Sequence, residues 1–366
     1  MDNEKYWFWL CNIDGVWRGT INKLMDIFSS PKVIYEASYD ELVFKLGHTN
    51  IKDKLLAEKI CKSRNIDEIL RKYENMQNKN VEFVSVENEK YPQRFREINE
   101  YPYGIYIKGN NLIQEKKIVA IVGARNCTLY GRKIAKDIGF ELAANDVIVI
   151  SGLARGIDSE GLWGCVDAGG IPYAVMGCGV DICYPRENIE LYERMTENGA
   201  IISDYQLGSQ PLSWQFPLRN RLISALADAV LVVEAREKSG SLITVEYALE
   251  QGKDIFAVPG RVGDALSNGC NKLIKEGAGI ATSAKEILDD IGIYDRKNSK
   301  NFTKNNIILE KEIETLYSCV DFFPKNIQQI KEETGKDSVE ILRGLVKLQM
   351  MNLIEEPSKN YYSRKI

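Results

Sequence analysis

The chain has 366 residues, of which 44% are hydrophobic and 27% are charged, and its formal net charge is −4. This length allows two or three domains, and the composition is that of a soluble globular protein. The negative balance excludes a protein that holds nucleic acid through a basic surface overall, so any such affinity must come from a local basic patch.

Cysteine and histidine usage excludes several kinds of site. The eight cysteines are scattered without a Cys-x-x-Cys pair, which argues against a disulfide framework or a zinc site. The single histidine, His48, lies far from the central motifs, which argues against a Ser-His-Asp triad. We therefore expect no metal and no cofactor. Without a membrane-spanning apolar run or a signal-peptide pattern, the sequence predicts a cytoplasmic protein.

Residues 1–80 predict a helical module. Four amphipathic stretches follow one another: WFWLCNI, GTINKLMDIF, YDELVFKL and IKDKLLAEKICKS. Gly15 and Gly47 each precede one of these helices, which suggests a paired helix-hairpin-helix or SAM-like module able to hold a DNA backbone through helix-terminal amides. The usual Gly-apolar-Gly hairpin is missing, so the pattern also fits a module for packing or protein contact.

Residues 81–292 predict an α/β domain. Six apolar stretches alternate with helical segments: KIVAIVG, DVIVISG, PYAVMG, AIISDY, AVLVVEA and DIFAVPG. This alternation is typical of a doubly wound, mostly parallel, Rossmann-like sheet. The turn-rich segment before it contains the alternating GIYIKG and is interpreted as the lead-in to the sheet. The helical SAKEILDDIG closes the domain.

The remaining residues predict a linker and a small C-terminal module. Residues 293–306 are polar and poor in large apolar side chains, as is typical of linkers. Residues 307–366 contain three helical patterns and a hairpin-like end, which together predict a winged-helix module. The third helix begins with the acids Asp337 and Glu340, which would face phosphates. We therefore expect a protein-contact or weak auxiliary role for this module.

Several of the predicted strands end in loops of small or cationic residues. An arginine at such a turn is a planar phosphate ligand, and serine and glycine allow phosphate to approach the backbone. Asp158 is expected to cap the helix that follows it. Each loop alone also fits a surface turn, but together they predict a phosphate-binding edge. Its candidate residues are Arg125 and Thr128 after KIVAIV, Ser151, Gly152 and Arg155 after DVIVI, and Lys238, Ser239, Gly240 and Ser241 after AVLVVEA.

The segment WQFPLRNR, which precedes AVLVVEA, adds rings and further cations to this edge. Because Pro217 follows it, Phe216 is expected to be extended. Aromatics beside arginines at a phosphate-binding edge are suited to single-stranded nucleic acid, with rings that stack on bases and cations that neutralise the backbone. The alternative is that the aromatics are core anchors and that Arg219 pairs with an acid such as Glu234. The candidate residues are Trp214, Phe216, Arg219, Asn220 and Arg221.

Together these motifs resemble the DNA-processing protein A family, also called DprA or Smf. The matching stretches are GARNCTLYG, SGLARGID, GCGVDICYPREN, FPLRNRLISAL, VVEAREKSGSLIT, AVPG and SNGCNKLIKEGA. The resemblance implies a cytoplasmic protein, dimeric through its central domain, that binds single-stranded DNA and loads the RecA recombinase onto it during natural transformation. It also implies that the DNA pocket contains Arg125, Ser151, Gly152, Arg219, Asn220, Arg221, Ser239 and Gly240.

An enzyme on the same scaffold is the main alternative. SGSLITVE is similar to PGGxGTxxE, the signature of the lysine-decarboxylase-like nucleotide phosphoribohydrolases, with Glu246 as the acid that would take the catalytic position. Ser239, Ser241 and Ile243 replace residues of that signature, and the bulk of Ile243 should close the loop to a ribose phosphate. We therefore expect a protein that is not an enzyme. A nucleotide-sensing regulator is a third reading of the same residues.

Overall fold

The computed structural model describes residues 3–47, 51–293, 311–321, 324–351 and 353–364. His48 and most of the predicted linker lie outside these ranges. The chain divides into two compact units, one of residues 1–126 and 135–292 and the other of residues 127–134 and 293–366. No helix within the described ranges is long and apolar enough to cross a membrane.

The N-terminal residues of the first unit are helical. The helices are Glu4–Cys11 (α1), Arg18–Ile27 (α2), Pro31–Glu36 (α3), Tyr39–Leu46 (α4), Ile51–Lys62 (α5) and Ile66–Gln77 (α6). Local signals set their ends: Ser38 and Glu41 form a capping box at the start of α4, and Gly47 ends it with φ 110°. The four predicted helices are present. α3 and α6 are additional, and α6 buries Ile69 and Met76.

A nine-stranded sheet forms the centre of the first unit. Its strands are Val81–Ser85 (β1), Gly104–Gly109 (β2), Ile118–Val122 (β3), Ile148–Ser151 (β4), Pro172–Val175 (β5), Ala200–Ser203 (β6), Ala229–Val232 (β7), Asp254–Ala257 (β8) and Gly279–Ile280 (β9). The strand order is β1-β2-β6-β5-β4-β3-β7-β8-β9. The strands from β6 to β9 in this order pair in parallel, whereas β1 and β2 pair antiparallel. The predicted α/β fold with a mostly parallel sheet is confirmed.

The predicted lead-in segment is part of the sheet. GIYIKG forms β2, which pairs antiparallel with both β1 and β6. The run of apolar residues explains the difference, because Ile105, Tyr106 and Ile107 are all buried and the strand is therefore covered on both faces, as a strand inside a sheet is. The mixed character of the sheet therefore comes from these two strands.

Helices connect the strands of the sheet, and one further helix follows the last strand. They are Gln93–Arg96 (α7), Leu129–Ala144 (α8), Ile157–Asp167 (α9), Ile189–Asn198 (α10), Gln215–Leu226 (α11), Gly240–Glu250 (α12), Asn268–Lys275 (α13) and Ala284–Asp290 (α14). The central strands β3 and β7 are buried along their whole length, as expected of parallel strands covered on both faces. The core of the unit therefore lies along these strands, and the loops at their ends are held by rigid elements.

Each edge of the sheet has a feature that limits further strand pairing. At β1, the outward N–H of Ser85 donates to the carboxylate of Glu4 on α1 over 2.7 Å, and the Ser85 hydroxyl donates to the same carboxylate. At the other edge, β9 contains two residues. A short strand and a side chain that occupies backbone groups are two ways in which proteins blunt sheet edges.

From residue 311 onwards, the described part of the second unit forms three helices and a three-stranded sheet. The elements are Lys311–Cys319 (α15), Lys325–Asn326 (β10), Ile327–Thr334 (α16), Ser338–Met350 (α17), Ile354–Ser358 (β11) and Tyr361–Arg364 (β12), with strand order β10-β12-β11. Leu316, Ile330, Ile341 and Leu345 form part of its own core. The opposite face of α17 carries exposed Val339, Leu342, Val346 and Met350.

Candidate functional site

A cavity of about 590 Å³ lies at the carboxyl ends of the parallel strands. Its lining includes Gly123 after β3, Ala154 after β4 and Lys238 after β7. In the sheet, β3 lies between β4 and β7, so the connections on its two sides run in opposite directions. Ligands of open α/β sheets bind at such a topological switch point. We call this space the switch-point cavity.

One wall of the switch-point cavity combines a cation with two rings. The guanidinium of Arg125 lies 5.9 Å from the ring centroid of Phe216. The rings of Phe216 and Tyr184 are 5.4 Å apart and inclined by 31°. All three side chains line the cavity, and Tyr184 is 40% exposed. This wall therefore offers a tilted pair of rings beside a positive charge.

Arg219, on α11, is buried in the wall of the cavity. Its Nη1 donates to the carbonyl oxygens of Gly152, at 3.0 Å, and Val175. These oxygens lie at the ends of β4 and β5, so the guanidinium joins two strand ends to the helix. Burial lowers the pKa of Arg219 to about 10, and the neighbouring carboxylate of Asp158 opposes that shift.

The acid next to Arg219 is Asp158, which lines the same cavity. Burial raises the pKa of this carboxyl group, while Arg219 and hydrogen bonds from its surroundings lower it. Its Oδ2 accepts from the N–H of Gly152 over 3.1 Å. The expected helix-capping role is wrong, because α9 already begins at Ile157 and Asp158 lies inside its first turn. Gly156, with φ 76°, precedes the helix instead.

The N-terminus of α12 forms the opposite wall. Ser239 is its N-cap, and the Ser239 hydroxyl accepts from the N–H of Ser241 over 3.4 Å. The two hydroxyl oxygens are 2.8 Å apart. Asn220 ties this wall to α11, because its Nδ2 donates to the carbonyl of Gly240 over 3.3 Å. With Lys238 beside it, this end of the helix is suited to an anion.

Two glycines allow the walls to approach each other. A Cβ at Gly152 would lie 2.5 Å from the guanidinium of Arg219. A Cβ at Gly177 would lie 2.8 Å from the ring of Phe216. Either methyl group would have to displace a side chain that forms the cavity. The small residues predicted at these strand ends therefore make room for cavity side chains.

Phe216 differs from its expected conformation. It lies in the first turn of α11, which begins at Gln215, and is helical where an extended residue was expected. Pro217 is tolerated at this place because the first-turn N–H groups of a helix have no intrahelical acceptor. The helix carries Phe216, Arg219 and Asn220 to the same cavity.

Neither Arg221 nor Trp214 is among the described residues that line the switch-point cavity. Arg221 is buried, and its Nη2 donates to Oδ2 of Asp204 over 2.6 Å. Burial lowers the pKa of Arg221, and Asp204 opposes the shift. Trp214 is 45% exposed and lies edge-on to Trp17 of the N-terminal helices. Of the two arginines of the RNR motif, one therefore faces the cavity and the other binds an acid within the protein.

Four further predicted residues lie outside the set of described residues that line the cavity: Thr128, Ser151, Gly152 and Arg155. The Ser151 hydroxyl is buried and donates to the carbonyl of Ile121 over 2.5 Å. Arg155 forms an exposed ion pair with Glu187 at 3.1 Å. Thr128 belongs to the second compact unit, where its hydroxyl accepts from the N–H of Gly131 over 3.0 Å. The side chains of Ser151, Arg155 and Thr128 therefore have structural partners within the protein.

Sequence reasoning missed Tyr184 as a site residue. It lies in the quoted stretch GCGVDICYPREN, far along the chain from Phe216. The contact between the two rings depends on the pairing of β5 with its neighbours and on the start of α11, neither of which has a local signal. The nearest clue is an aromatic residue next to a proline after a glycine-rich strand end.

Glu246 is exposed on α12 and lies outside the set of described residues that line the cavity, whereas Ile243 lines it. Aligned from Ser239, the glutamate of the PGGxGTxxE signature falls on Tyr247, one position further along. Among the described residues, no group of three or more His, Cys, Asp and Glu side chains is placed to hold a metal ion. The acid of the enzyme alternative is therefore displaced from the cavity.

The fold and the cavity together define a class of α/β protein that presents cations, hydroxyls, amides and rings at the switch point of a mostly parallel sheet. A family model described as DNA recombination-mediator protein A matches residues 82–292. The chain belongs to this family, and the resemblance drawn from its motifs is confirmed.

Curated relatives support the same assignment. The chain is 40% identical over 206 residues to the DNA processing protein DprA of Streptococcus pneumoniae, covering 56% of this chain and 72% of that protein. It is 32% identical over 281 residues to the protein Smf of Escherichia coli, covering 75% of each chain.

Two solved structures are similar in fold. DprA of S. pneumoniae matches with a TM-score of 0.67 and 32% identity, covering 78% of this chain and 97% of that chain. DNA processing protein A of Helicobacter pylori, which was studied for its single-stranded DNA binding mode, matches with a TM-score of 0.53 and 28% identity, covering 57% of this chain and 95% of that chain.

Proposed function

We propose that the protein binds single-stranded DNA in the switch-point cavity. The observation that carries this proposal is the wall in which Phe216 and Tyr184 lie beside Arg125, opposite the N-terminus of α12. Rings that stack on bases and cations that neutralise phosphates are the two requirements for holding a single strand. The H. pylori relative, which is described as a single-stranded DNA binder, supports the same ligand class.

Within this proposal, the side chains divide into three roles. Phe216 and Tyr184 stack on bases, and Arg125 and Lys238 contact phosphates together with the α12 N-terminus. The hydroxyls of Ser239 and Ser241 complete this anion site. Buried residues hold the walls in place: Arg219 joins the strand ends to α11, and Asn220 joins α11 to α12.

A binding titration tests the proposal. Labelled single-stranded DNA, duplex DNA and nucleoside monophosphates are compared by fluorescence anisotropy at about 50 and 200 mM salt. We expect tight, salt-dependent binding of the single strand and weak binding of the duplex, because paired bases cannot reach the rings. Arg125→Ala should weaken binding. Arg194→Ala, which removes an exposed arginine of α10, is the matched control. Equal affinity for single strand and duplex would contradict the proposal.

We propose that the chain has three functional parts: a helical module at residues 1–80, the DNA-binding domain at residues 81–292 and, after a linker at 293–306, a winged helix at 307–366. The three helices and small sheet of the second unit support the winged-helix assignment. The exposed apolar row on α17 supports a protein contact for this module, since a helix that reads a DNA groove presents donors and cations.

The biological role proposed from family membership is more specific. It is a cytoplasmic homodimer that protects incoming single strands and loads the RecA recombinase onto them in natural transformation. We test it by adding the protein to RecA and single strands coated with SSB. Faster filament formation is expected, and unchanged kinetics at every protein ratio would restrict the role to DNA binding. Light scattering of the purified protein measures the proposed dimer directly.

We further propose that the protein is not a hydrolase. The exposed position of Glu246 supports this, as does the presence of Ile243 at the cavity. Incubation with nucleoside monophosphates should release no free base. A turnover that disappears in Glu246→Gln would instead favour the phosphoribohydrolase.

A further inference from the structure

A second cleft lies beside the switch-point cavity within the same compact unit. Its volume is about 400 Å³, and helices of the N-terminal region form one side of it. Trp17 from that region and Trp214 from the segment before α11 line it, together with Tyr205. We call it the tryptophan cleft. The motifs that predicted the main cavity do not include Trp17.

The two tryptophans are arranged as an open corner. Their ring centroids are 5.6 Å apart and their planes meet at 86°. Trp17 is 57% exposed and Trp214 is 45% exposed, although tryptophan side chains are on average highly buried. A flat ring can lie face-on against one indole while its edge meets the face of the other, which are the two favourable aromatic geometries.

One segment joins the tryptophan cleft to the switch-point cavity. Pro211, Ser213 and Phe216 line the cavity, whereas Ser209 and Trp214 line the cleft. The two spaces are therefore adjacent faces of residues 209–216. A polymer that leaves the cavity across this segment reaches the tryptophan corner without crossing the core.

Polar groups at the rim of the tryptophan cleft suit the edge of a base. Gln206 carries a side-chain amide with both donors and an acceptor, and Arg18 adds a cation that also pairs with Glu100. Asp204, which also lines the cleft, is held by the buried Arg221. Arg221, the arginine of the RNR motif that lies outside the switch-point cavity, therefore fixes an acid in the wall of the tryptophan cleft.

We propose that the tryptophan cleft is a second base-stacking subsite, which takes an unpaired nucleobase of the same DNA strand that occupies the switch-point cavity. The inference rests on the proposed single-strand function and adds a contact by the N-terminal helices to it. An apolar protein segment is the other class of occupant, and continuity with the cavity favours the nucleic acid. Stacking on a ring tolerates any base, so the subsite extends the footprint without adding sequence preference.

The test compares two oligothymidylates, of about 2 and about 20 nucleotides, because a dinucleotide in the switch-point cavity is too short to fill the neighbouring cleft as well, whereas the longer strand can occupy both. In Trp17→Ala, affinity for the long oligomer should fall about tenfold, the equivalent of one lost base stack, with the salt dependence unchanged. Affinity for the short oligomer should stay at the wild-type value. Trp17→Phe keeps an aromatic ring and should lose less affinity for the long oligomer than Trp17→Ala does. Phe44→Ala, which removes another exposed aromatic of the N-terminal helices, is the control.

A cross-linking experiment on the wild-type chain gives an independent readout. A long oligomer with 5-iodouracil is irradiated on the protein, and the modified peptides are mapped. Cross-links at Trp17 or Trp214 support the subsite, and cross-links confined to the switch-point cavity overturn it. If Trp17→Ala binds the long oligomer as tightly as the wild type does, the inference is wrong while the proposed function stands. If the wild type binds neither oligomer, the proposed function itself fails.

Discussion

Arg219 and Arg125 show how two arginines of one cavity differ in what they can do. Arg219 is 5% exposed, and its guanidinium donates hydrogen bonds to the carbonyl oxygens of Gly152 and Val175. Arg125 lies against the ring of Phe216, where its guanidinium borders the open space. Burial therefore assigns Arg219 to the architecture of the cavity, whereas the proposed function assigns the exposed Arg125 a contact with the ligand.

Arg219→Ala should destabilise the fold. It leaves two strand-end carbonyls and the carboxyl of Asp158 without their cation in a buried place, a change that costs roughly 3–5 kcal/mol when one partner of a buried pair is removed. Chemical denaturation measures the loss. Arg194→Ala should stay within about 0.5 kcal/mol of the wild type, because Arg194 is a surface residue. A folded Arg219→Ala protein of wild-type stability would contradict this role.

Arg125→Ala should have the opposite profile. Stability should change little, whereas affinity for single-stranded DNA should fall by similar factors for all sequences. The slope of log affinity against log salt should flatten by about 0.7 for the lost phosphate contact. Anisotropy titrations over a salt series measure the slope, and an unchanged slope would remove Arg125 from the phosphate contacts.

Phe216→Ala tests the ring wall. If the ring stacks on a base, binding should weaken by roughly 1–3 kcal/mol with the salt slope unchanged. Phe216→Tyr keeps an aromatic face and should bind nearly as the wild type does. A lower melting temperature with proportional loss of binding would instead mark Phe216 as a packing residue between Gly177 and Tyr184.

At the scale of the element, the start of α12 combines a helix cap with the proposed anion site. Ser239→Ala removes the N-cap acceptor and should cost about 1 kcal/mol of stability, whereas Ser239→Gly should cost only a few tenths. Both variants lose the hydroxyl that faces the cavity and should therefore weaken DNA binding alike. Thermal unfolding and titration of the two variants separate the cap from the ligand contact. Equal stability of both would argue against the cap.

The elements that the sequence predicted best are those with a strong local period. The apolar stretches of β3, β4, β5, β6, β7 and β8 identify a parallel sheet because they are short, branched and regularly spaced. The extended conformation predicted for Phe216 at the start of α11 is wrong. The preference of a residue before proline for extended backbone is outweighed there, because the first turn of a helix tolerates proline. The partners of Trp214 and Phe216 come from distant parts of the chain, and sequence spacing does not encode such contacts.

At the scale of the whole molecule, the second unit is expected to be dispensable for single-strand binding. Every described residue that lines the switch-point cavity belongs to the first unit. Deletion of residues 293–366 should leave the affinity for single-stranded DNA within a few-fold of the full chain. Circular dichroism first checks that the shortened protein is folded. Loss of all binding in a folded truncation would give the second unit a direct part in the site.

The blunted edges of the central sheet limit how copies of this chain can assemble. With the outward N–H of Ser85 occupied by Glu4, and with β9 reduced to two residues, neither edge offers a long ladder to a strand from another molecule. For the proposed homodimer of the first unit, we therefore expect side-chain packing to contribute more than a sheet that continues across the subunits. Its strength would be set by a few surface residues, so single substitutions could separate the subunits without disturbing either fold.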